Sequence, residues 1–470
     1  MGTWTYIDID TLGAAPGSAR EAFIDARGRN TMRRIVLSAA TAVTVVTTAV
    51  AASPAAQADE PTGVSRVSVA YDGEPASDSS HFPVVSGDGQ VVAFGSNAAN
   101  IVRQDFNNVY DTFVRDLSTG VSTRVSVATD GTPANAASYG AALSYDGRFV
   151  AFYSAARNLV PGDTNNASDV FVHDRQTGTT SRVSVATDGT EANGPSQNPQ
   201  LSADGRWVTF STTATNLAPG AIGSKSKVLL HDRETGTTTE VSVRPDGTSG
   251  TEDSRLPSIS ADGRYVGFIS SDWQIVPSPR FIATNAYVRD MQSGTTARVN
   301  ATSLSSLGYA VPKAGTPVLV SPDGQYATFF TDTAMVPEDT NRAADAYRIE
   351  LATGSVTRVS VGAGGVQGDK ASGLTITGAP MSADGRYVAF DSEATNLVPG
   401  DTNGVRDIFV RDTVNGTTTL VSTGEAPNTR PSYYPAISAD GSIVVFTTDG
   451  ALTADDTNLR NDVYLARHQG

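Results

Sequence analysis

An Asp-Gly pair, preceded by Ser and followed by an apolar run ending in Phe, occurs seven times in this chain. The copies occupy residues 86–94, 144–152, 202–210, 260–268, 321–329, 382–390 and 438–446. Successive Asp residues (Asp88, Asp146, Asp204, Asp262, Asp323, Asp384, Asp440) are separated by 58, 58, 58, 61, 61 and 56 positions. A period of this size marks a repeat architecture, in which each unit buries its apolar face against its neighbours.

One unit reads as four strands. In the second copy, residues 141–144 form a short first strand, and Asp146-Gly147 makes a tight hairpin whose Gly supplies φ > 0. Residues 148–154, with Phe149, Val150 and Phe152, form the second strand. A long loop (158–168) precedes a third strand at 169–174, and Thr177-Gly178 turns into a fourth at 180–185. Residues 188–193 cross to the next unit. No long amphipathic helix follows residue 60. Seven such units predict an all-β, seven-bladed β-propeller of four-stranded antiparallel blades. A β-solenoid, with shorter rungs and no paired hairpins, fits less well. The fourth-strand motif Arg-Val-Ser-Val first appears at 66–69, ahead of the first hairpin, while the seventh unit stops after a third strand at 462–466. The N-terminal strand is therefore expected to complete the last blade and close the ring.

The Pro-x-x-Ser-x-Asp-Gly-Arg-x-x-Ala-Phe pattern is well represented by 435–446. The following Asp-x-Phe-Val-x-Asp and Thr/Asn-Gly turn are clear at 407–416. Together they resemble the TolB-type WD-like β-propeller repeats of secreted bacterial proteins. The resemblance spans roughly 64–467 and implies the propeller fold. TolB itself carries six blades and an additional N-terminal domain, so its role in envelope translocation does not transfer with the repeat.

Residues 1–58 read as an upstream segment and a secretory signal peptide. Met32-Arg33-Arg34 opens a basic stretch, 35–52 is apolar, and Ala56-Gln57-Ala58 offers a small-residue cleavage site. Met32 is the expected true start, and the twin Arg leaves Sec and twin-arginine export both open. Residues 59–470 are then the propeller, with no stretch left for a second domain. The expected location is extracellular or in the cell envelope, without a membrane span after cleavage. Net charge is −15, which disfavours nucleic acid and anionic lipid as partners. The chain has no cysteine, so thiol catalysis and thiolate metal sites are excluded.

The residues with the most chemical promise lie in the loop after the second strand. It reads Asp-x-Asn-x-x-x-Asp five times: Asp105/Asn107/Asp111, Asp163/Asn165/Asp169, Asp339/Asn341/Asp345, Asp401/Asn403/Asp407 and Asp456/Asn458/Asp462. Alternating oxygen donors in a short loop suit a hard cation such as Ca²⁺. They equally suit a turn whose Asp and Asn bond nearby backbone N–H groups. The third and fourth units replace the motif and introduce Lys225, Lys227 and Arg280, either a partner site or drift. His173 and His231 occupy a slot that is Arg115, Arg289 and Arg411 elsewhere, which predicts a surface strand position. The seven Phe of the hairpin motif predict core packing between blades.

No nucleophile elbow, phosphate loop or three-His metal set is present. The expectation is a monomeric, non-catalytic binding or scaffold module, with calcium as a candidate stabiliser. Its protein or glycan partner would engage the face carrying the long loops. The alternative is an extracellular propeller enzyme, a hydrolase or lyase on glycans, working in the central channel.

Overall fold

The computed structural model describes residues 63–220, 225–277, 284–302, 310–312, 316–373, 379–424 and 428–468. Residues 1–58, where the sequence reading expects a signal peptide, and Arg280 lie outside the described residues. Among those described, no helix is long and apolar enough to cross a membrane.

Each Ser-x-Asp-Gly turn folds for the same local reason. In the third copy, Ser202 Oγ donates to Asp204 Oδ1 at 2.6 Å, and Asp204 Oδ1 also accepts the Arg206 N–H at 2.9 Å. Ser202 Oγ in turn accepts the Trp207 N–H at 2.9 Å. Gly205 adopts φ +69° at the tip of this turn, a conformation open to glycine at little steric penalty. The turn leads into antiparallel strands at Trp207–Thr212, Lys227–Asp232 and Thr237–Glu240, with Ser196–Leu201 innermost. The same order recurs, giving seven antiparallel blades of a propeller. In blade six three strands are described (Tyr387–Ser392, Asp407–Asp412, Thr417–Leu420), with Met381 bridging Val388 on the inner side.

Two boundaries differ from the sequence reading. The inner strand of blade two is Ser138–Leu143, beginning earlier than expected, because a bulge between Tyr139 and Ala142 lets it run on to the rim. Its outer strand is Thr179–Arg182, ending earlier, because the chain then curls so that Val185 bridges Glu191 in the crossover.

The hairpin Phe residues are all at most 1% exposed. Five of them stack on the aromatic of the adjacent third strand in their own blade: Phe94–Phe113 (5.9 Å), Phe152–Phe171 (5.8 Å), Phe268–Tyr287 (5.5 Å), Phe390–Phe409 (5.8 Å) and Phe446–Tyr464 (6.2 Å). The predicted core role holds, and the apolar clusters they join run across blade boundaries. The hairpin glycines add a second seam. A Cβ on Gly205 would lie 2.3 Å from the Phe149 ring of blade two, and one on Gly263 would lie 2.3 Å from Trp207 of blade three. Each tip therefore seats directly on its neighbour.

The residue between Ser and Asp joins the blades around the axis. Asp88 N donates to Tyr145 O, Tyr145 N to Ala203 O, Ala203 N to Ala261 O and Ala261 N to Pro322 O. Asp323 N then donates to Ala383 O, Ala383 N to Ala439 O, and Ala439 N returns to Gly87 O. These seven backbone bonds span 2.7–3.1 Å and form a closed circuit. Pro322 has no N–H to give, and the donor moves one residue on to Asp323. In the last sheet, Val64–Arg66 lies outermost, antiparallel to Asp462–Arg467, followed inward by Ile443–Thr448 and Ser432–Ile437.

Candidate functional site

The long Asp/Asn loops and the crossovers share one face. Asn107 Nδ2 donates to Ala134 O at 3.1 Å, and Asn165 Nδ2 to Ala192 O at 2.9 Å, so each loop is tied to the crossover that follows it. Asn341 and Asn458 make the same bond to Gly368 O and Ala76 O, both at 3.0 Å. The same amide donates to the last Asp of the motif, as in Asn107–Asp111 (2.8 Å) and Asn165–Asp169 (2.8 Å). That Asp also accepts the Ser hydroxyl of the Arg-Val-Ser-Val strand: Ser126–Asp111, Ser184–Asp169, Ser360–Asp345, Ser422–Asp407 and Ser68–Asp462 span 2.5–2.6 Å. All five of these Asp are fully buried. Burial holds each carboxyl above its ordinary range, and Asp462 is pushed up to about 6.

In four of the five loops an arginine meets the carboxylates, and in three it reaches both. Arg124 Nη1 lies 2.7 Å from Asp105 and 3.1 Å from Asp111. Arg182 Nη1 lies 3.7, 3.4 and 2.5 Å from Asp163, Asp169 and Glu191. Among the described residues these three carboxylates lie close enough together to share a metal ion, and a guanidinium already abuts all of them. Arg358 meets Asp339 (3.5 Å) and Asp345 (3.9 Å), and Arg66 meets Asp456 (3.7 Å). The fifth loop, Asp401/Asn403/Asp407, has Leu420 where the others have Arg. Blade three reverses the pair instead: Lys227 and Glu240, 2% and 6% exposed, stand where Asp and Arg stand elsewhere. Lys225, by contrast, is a surface group 3.7 Å from Glu252 and 3.8 Å from Asp253.

The expected surface position of His173 and His231 is not observed. They are 7% and 5% exposed, and their Nδ1 atoms lie 2.9 and 2.8 Å from Thr180 and Thr238 Oγ1. The shorter imidazole cannot reach out to solvent as arginine does from this slot, and burial lowers both pKa values, His231 to about 4.

A feature that the sequence reading missed lies at the channel mouth on the long-loop face. The inner strands begin Ser-x-x-Pro in blades one, three, four and seven and Ser-x-x-Ala in blade two. The two central positions vary freely: His81-Phe82, Tyr139-Gly140, Gln197-Asn198, Arg255-Leu256 and Tyr433-Tyr434. Variation confined to one pair inside an otherwise fixed repeat was the available signal. Phe82, Asn198, Leu256 and Tyr434 hold φ of 53–56°. For bulky side chains this backbone is strained by about 1–3 kcal/mol each, and such strain clusters at functional sites.

The result is an arc of rings across blades seven, one and two. Phe82 and Tyr434 are 4.7 Å apart, Tyr433 and Tyr434 6.0 Å, His81 and Phe82 5.7 Å. Tyr110 stacks on Tyr139 at 4.9 Å, and Tyr139 meets Tyr153 at 5.7 Å. A cavity of about 260 Å³ opens there, lined by Phe82, Tyr139, Tyr153, Asn198, Gln200 and Leu256 among others. Beyond Gln200 and Leu319 the channel widens into an aliphatic chamber of about 320 Å³, lined by residues such as Val85, Leu143, Leu201, Ile259 and Ile437. Beside Tyr433 lies a charged group: Arg406 is 3.5 Å from the buried Asp391, 2.8 Å from Glu393, and stacks over the Tyr433 ring at 5.3 Å.

No family model matches the sequence, and no curated protein matches it. Among solved structures, an oligogalacturonate lyase in complex with manganese is similar at 15% identity and a TM-score of 0.50, covering 86% of this chain and 93% of that one. An oligogalacturonate lyase from Vibrio parahaemolyticus is 14% identical, with a TM-score of 0.48 over 87% and 94%. TolB from Acinetobacter baumannii is 13% identical, with a TM-score of 0.36 over 77% of each chain. The structural neighbours thus include TolB proteins beside lyase propellers, and at these identities what is shared is the fold.

Proposed function

We propose that this protein is a non-catalytic binding module that holds the end of a glycan at the aromatic mouth of its channel. The observation that carries the reading is the arc of rings that includes Phe82 and Tyr434 on strained backbone, with Phe82, Tyr139 and Tyr153 lining a cavity of about 260 Å³. A sugar ring presents an apolar C–H face and a rim of hydroxyls. Flat aromatic faces match the first, and the amides of Asn198 and Gln200 match the second. Loops held by a rigid scaffold are the usual seat of recognition. The module is proposed to act outside the cytoplasm, in keeping with the signal-like pattern of residues 32–58.

The test is calorimetric titration with a panel of neutral and uronic oligosaccharides. Tyr139→Ala and Phe82→Ala are each expected to weaken binding about tenfold or more, equivalent to ~1.4 kcal/mol. Binding that both variants retain in full would remove the mouth from consideration. A second reading, a glycan hydrolase or lyase, rests on Asp391 and Arg406 beside Tyr433. Release of reducing ends or unsaturated sugars by the wild type, lost in Arg406→Ala, would favour it over simple binding.

A further inference from the structure

The five acidic loops are built alike, and in four of them the buried carboxylates meet a cation from within the chain. Asp105 and Asp163 face Arg124 and Arg182. Asp339 faces Arg358 and also accepts the Tyr347 hydroxyl. Asp456 faces Arg66 and accepts the Tyr464 hydroxyl at 2.5 Å. Asp401 has neither. Its third-strand aromatic is Phe409, which carries no hydroxyl, and Leu420 replaces the arginine and packs into the apolar core beneath.

Asp401 is nonetheless only 7% exposed, and its Oδ1 is buried without a hydrogen-bond partner. Asp407, fully buried, spends Oδ1 on Ser422 (2.6 Å) and Oδ2 on Asn403 (2.6 Å). Among the described residues no Lys, Arg or His lies within ion-pairing distance of either carboxylate. The exposed Lys370 acts on Asp401 only from beyond ion-pairing distance. Two carboxylates confined with no counter-charge in contact are unfavourable, because desolvation penalises each charge and the pair repels. The sister loops show what the fold supplies at this point: a positive charge, received by both carboxylates in three of them and by Asp456 in the fourth.

We infer that the blade-six loop binds one hard divalent cation, with calcium as the fitting chemistry, through Asp401 and Asp407 and with Asn403 beside them, in the place a guanidinium fills in four other blades. The donors are carboxylate oxygens, which such ions prefer, and Thr402 and Gly404 are exposed, so the loop is open to solvent and to water as further ligands. Asn403 Oδ1 accepts the Val405 N–H at 3.1 Å, which holds the loop in its turn. The site is distinct from the channel mouth and does not depend on what binds there.

The experiment is calorimetric titration of the metal-free full chain with calcium chloride, paired with melting curves in calcium and in chelator. One site per chain is expected, with a rise in melting temperature of at least about 2 °C in calcium. Asp401→Asn is expected to abolish both the heat and the rise, whereas Asp163→Asn, in an arginine-filled loop, is expected to keep both. Leu420→Arg is expected to abolish calcium binding and to raise the metal-free melting temperature, since the chain then carries its own cation. Should that variant fail to fold, the two Asp→Asn substitutions still decide. Absence of binding at millimolar calcium overturns the inference. So does binding unaffected by Asp401→Asn, or binding lost in Asp163→Asn alone.

Discussion

His173 and His231 illustrate how one slot sets the chemistry of its occupant. In the sister blades Arg115, Arg289 and Arg411 take this slot and donate to Ser122, Thr296 and Thr418 at 3.0–3.1 Å. The histidines reach the same partner position. Thr238 Oγ1 already donates to Val185 O at 2.5 Å, so His231 Nδ1 must carry the hydrogen and donate to Thr238. The ring is thus a neutral imidazole held by its neighbours. Its native pKa, about 4, lies below the unfolded value of 6.5. Between these values the unfolded chain takes up a proton that the native chain refuses, so this contribution is whole above about pH 6.5 and is lost as pH falls toward 4. Urea midpoints measured from pH 8 to 4.5 should therefore fall less steeply for His231→Gln than for the wild type. Equal slopes would show that His231 is not a source of the acid sensitivity. The repeat alignment made the slot legible. Its burial was not legible, because arginine and histidine differ in reach, and reach matters only once the neighbouring blade is in place.

At the scale of the element, the Asp-x-Asn loops were found from the sequence, but their partners were not. Each last Asp receives a Ser hydroxyl and, in three blades, an Arg from the outer strand of its own sheet, thirteen residues away in Asp111–Arg124. Both belong to the Arg-Val-Ser-Val motif, which the sequence displayed as a strand signature. Only the register of third strand against fourth turns two motifs into one polar cluster. Phe113 opposite Arg124 and Phe171 opposite Arg182 set that register. Blade three offers a direct test, since Lys227 and Glu240 reverse the usual signs and attract one another across the same gap. Lys227→Asp alone confines two carboxylates and Glu240→Arg alone confines two cations. Each is expected to destabilise by about 3–5 kcal/mol, the usual effect of leaving a buried charge uncompensated. The double variant restores the arrangement of blades one and two and should recover most of the loss. A double-mutant cycle in urea measures the coupling, and simple additivity would argue that the two sites do not sense each other.

For the whole molecule, the count of seven hairpins sufficed for architecture, because a four-stranded unit repeated seven times has few ways to bury its faces. The mouth was hidden by the same regularity. Attention goes to what repeats, whereas the variable pair at 81–82, 139–140, 197–198, 255–256 and 433–434 breaks the repeat. The strand at Val64–Arg66 belongs to this scale too, since it contributes to the blade farthest from it in sequence. Besides its ladder with Asp462–Arg467, it brings Arg66 to Asp455 and Asp456, and Ser68 to Asp462. Deleting residues 63–69 should lower the melting temperature, broaden the transition and admit proteolysis within 453–461. An unchanged melt would mean that blade packing alone holds blades seven and one together.

The circuit of backbone bonds at the hairpin end carries a consequence for how such a chain can be rearranged. Each blade gives one N–H and takes one with a carbonyl, using only main-chain groups of the residue after Ser or, for the donors of blades one and five, of the Asp that follows, so no side chain identifies the blade. The join between blades seven and one is written in the same terms as the other six. Physically the molecule has no first blade, and the place where synthesis begins is an accident of connectivity. A circular permutant cut at any long crossover would keep all seven bonds, and a duplicated or lost unit would leave no group unpaired at this end. What differs from one join to the next is the side chain on which each tip rests, Phe149 beneath Gly205, Trp207 beneath Gly263 and Tyr265 beneath Gly324.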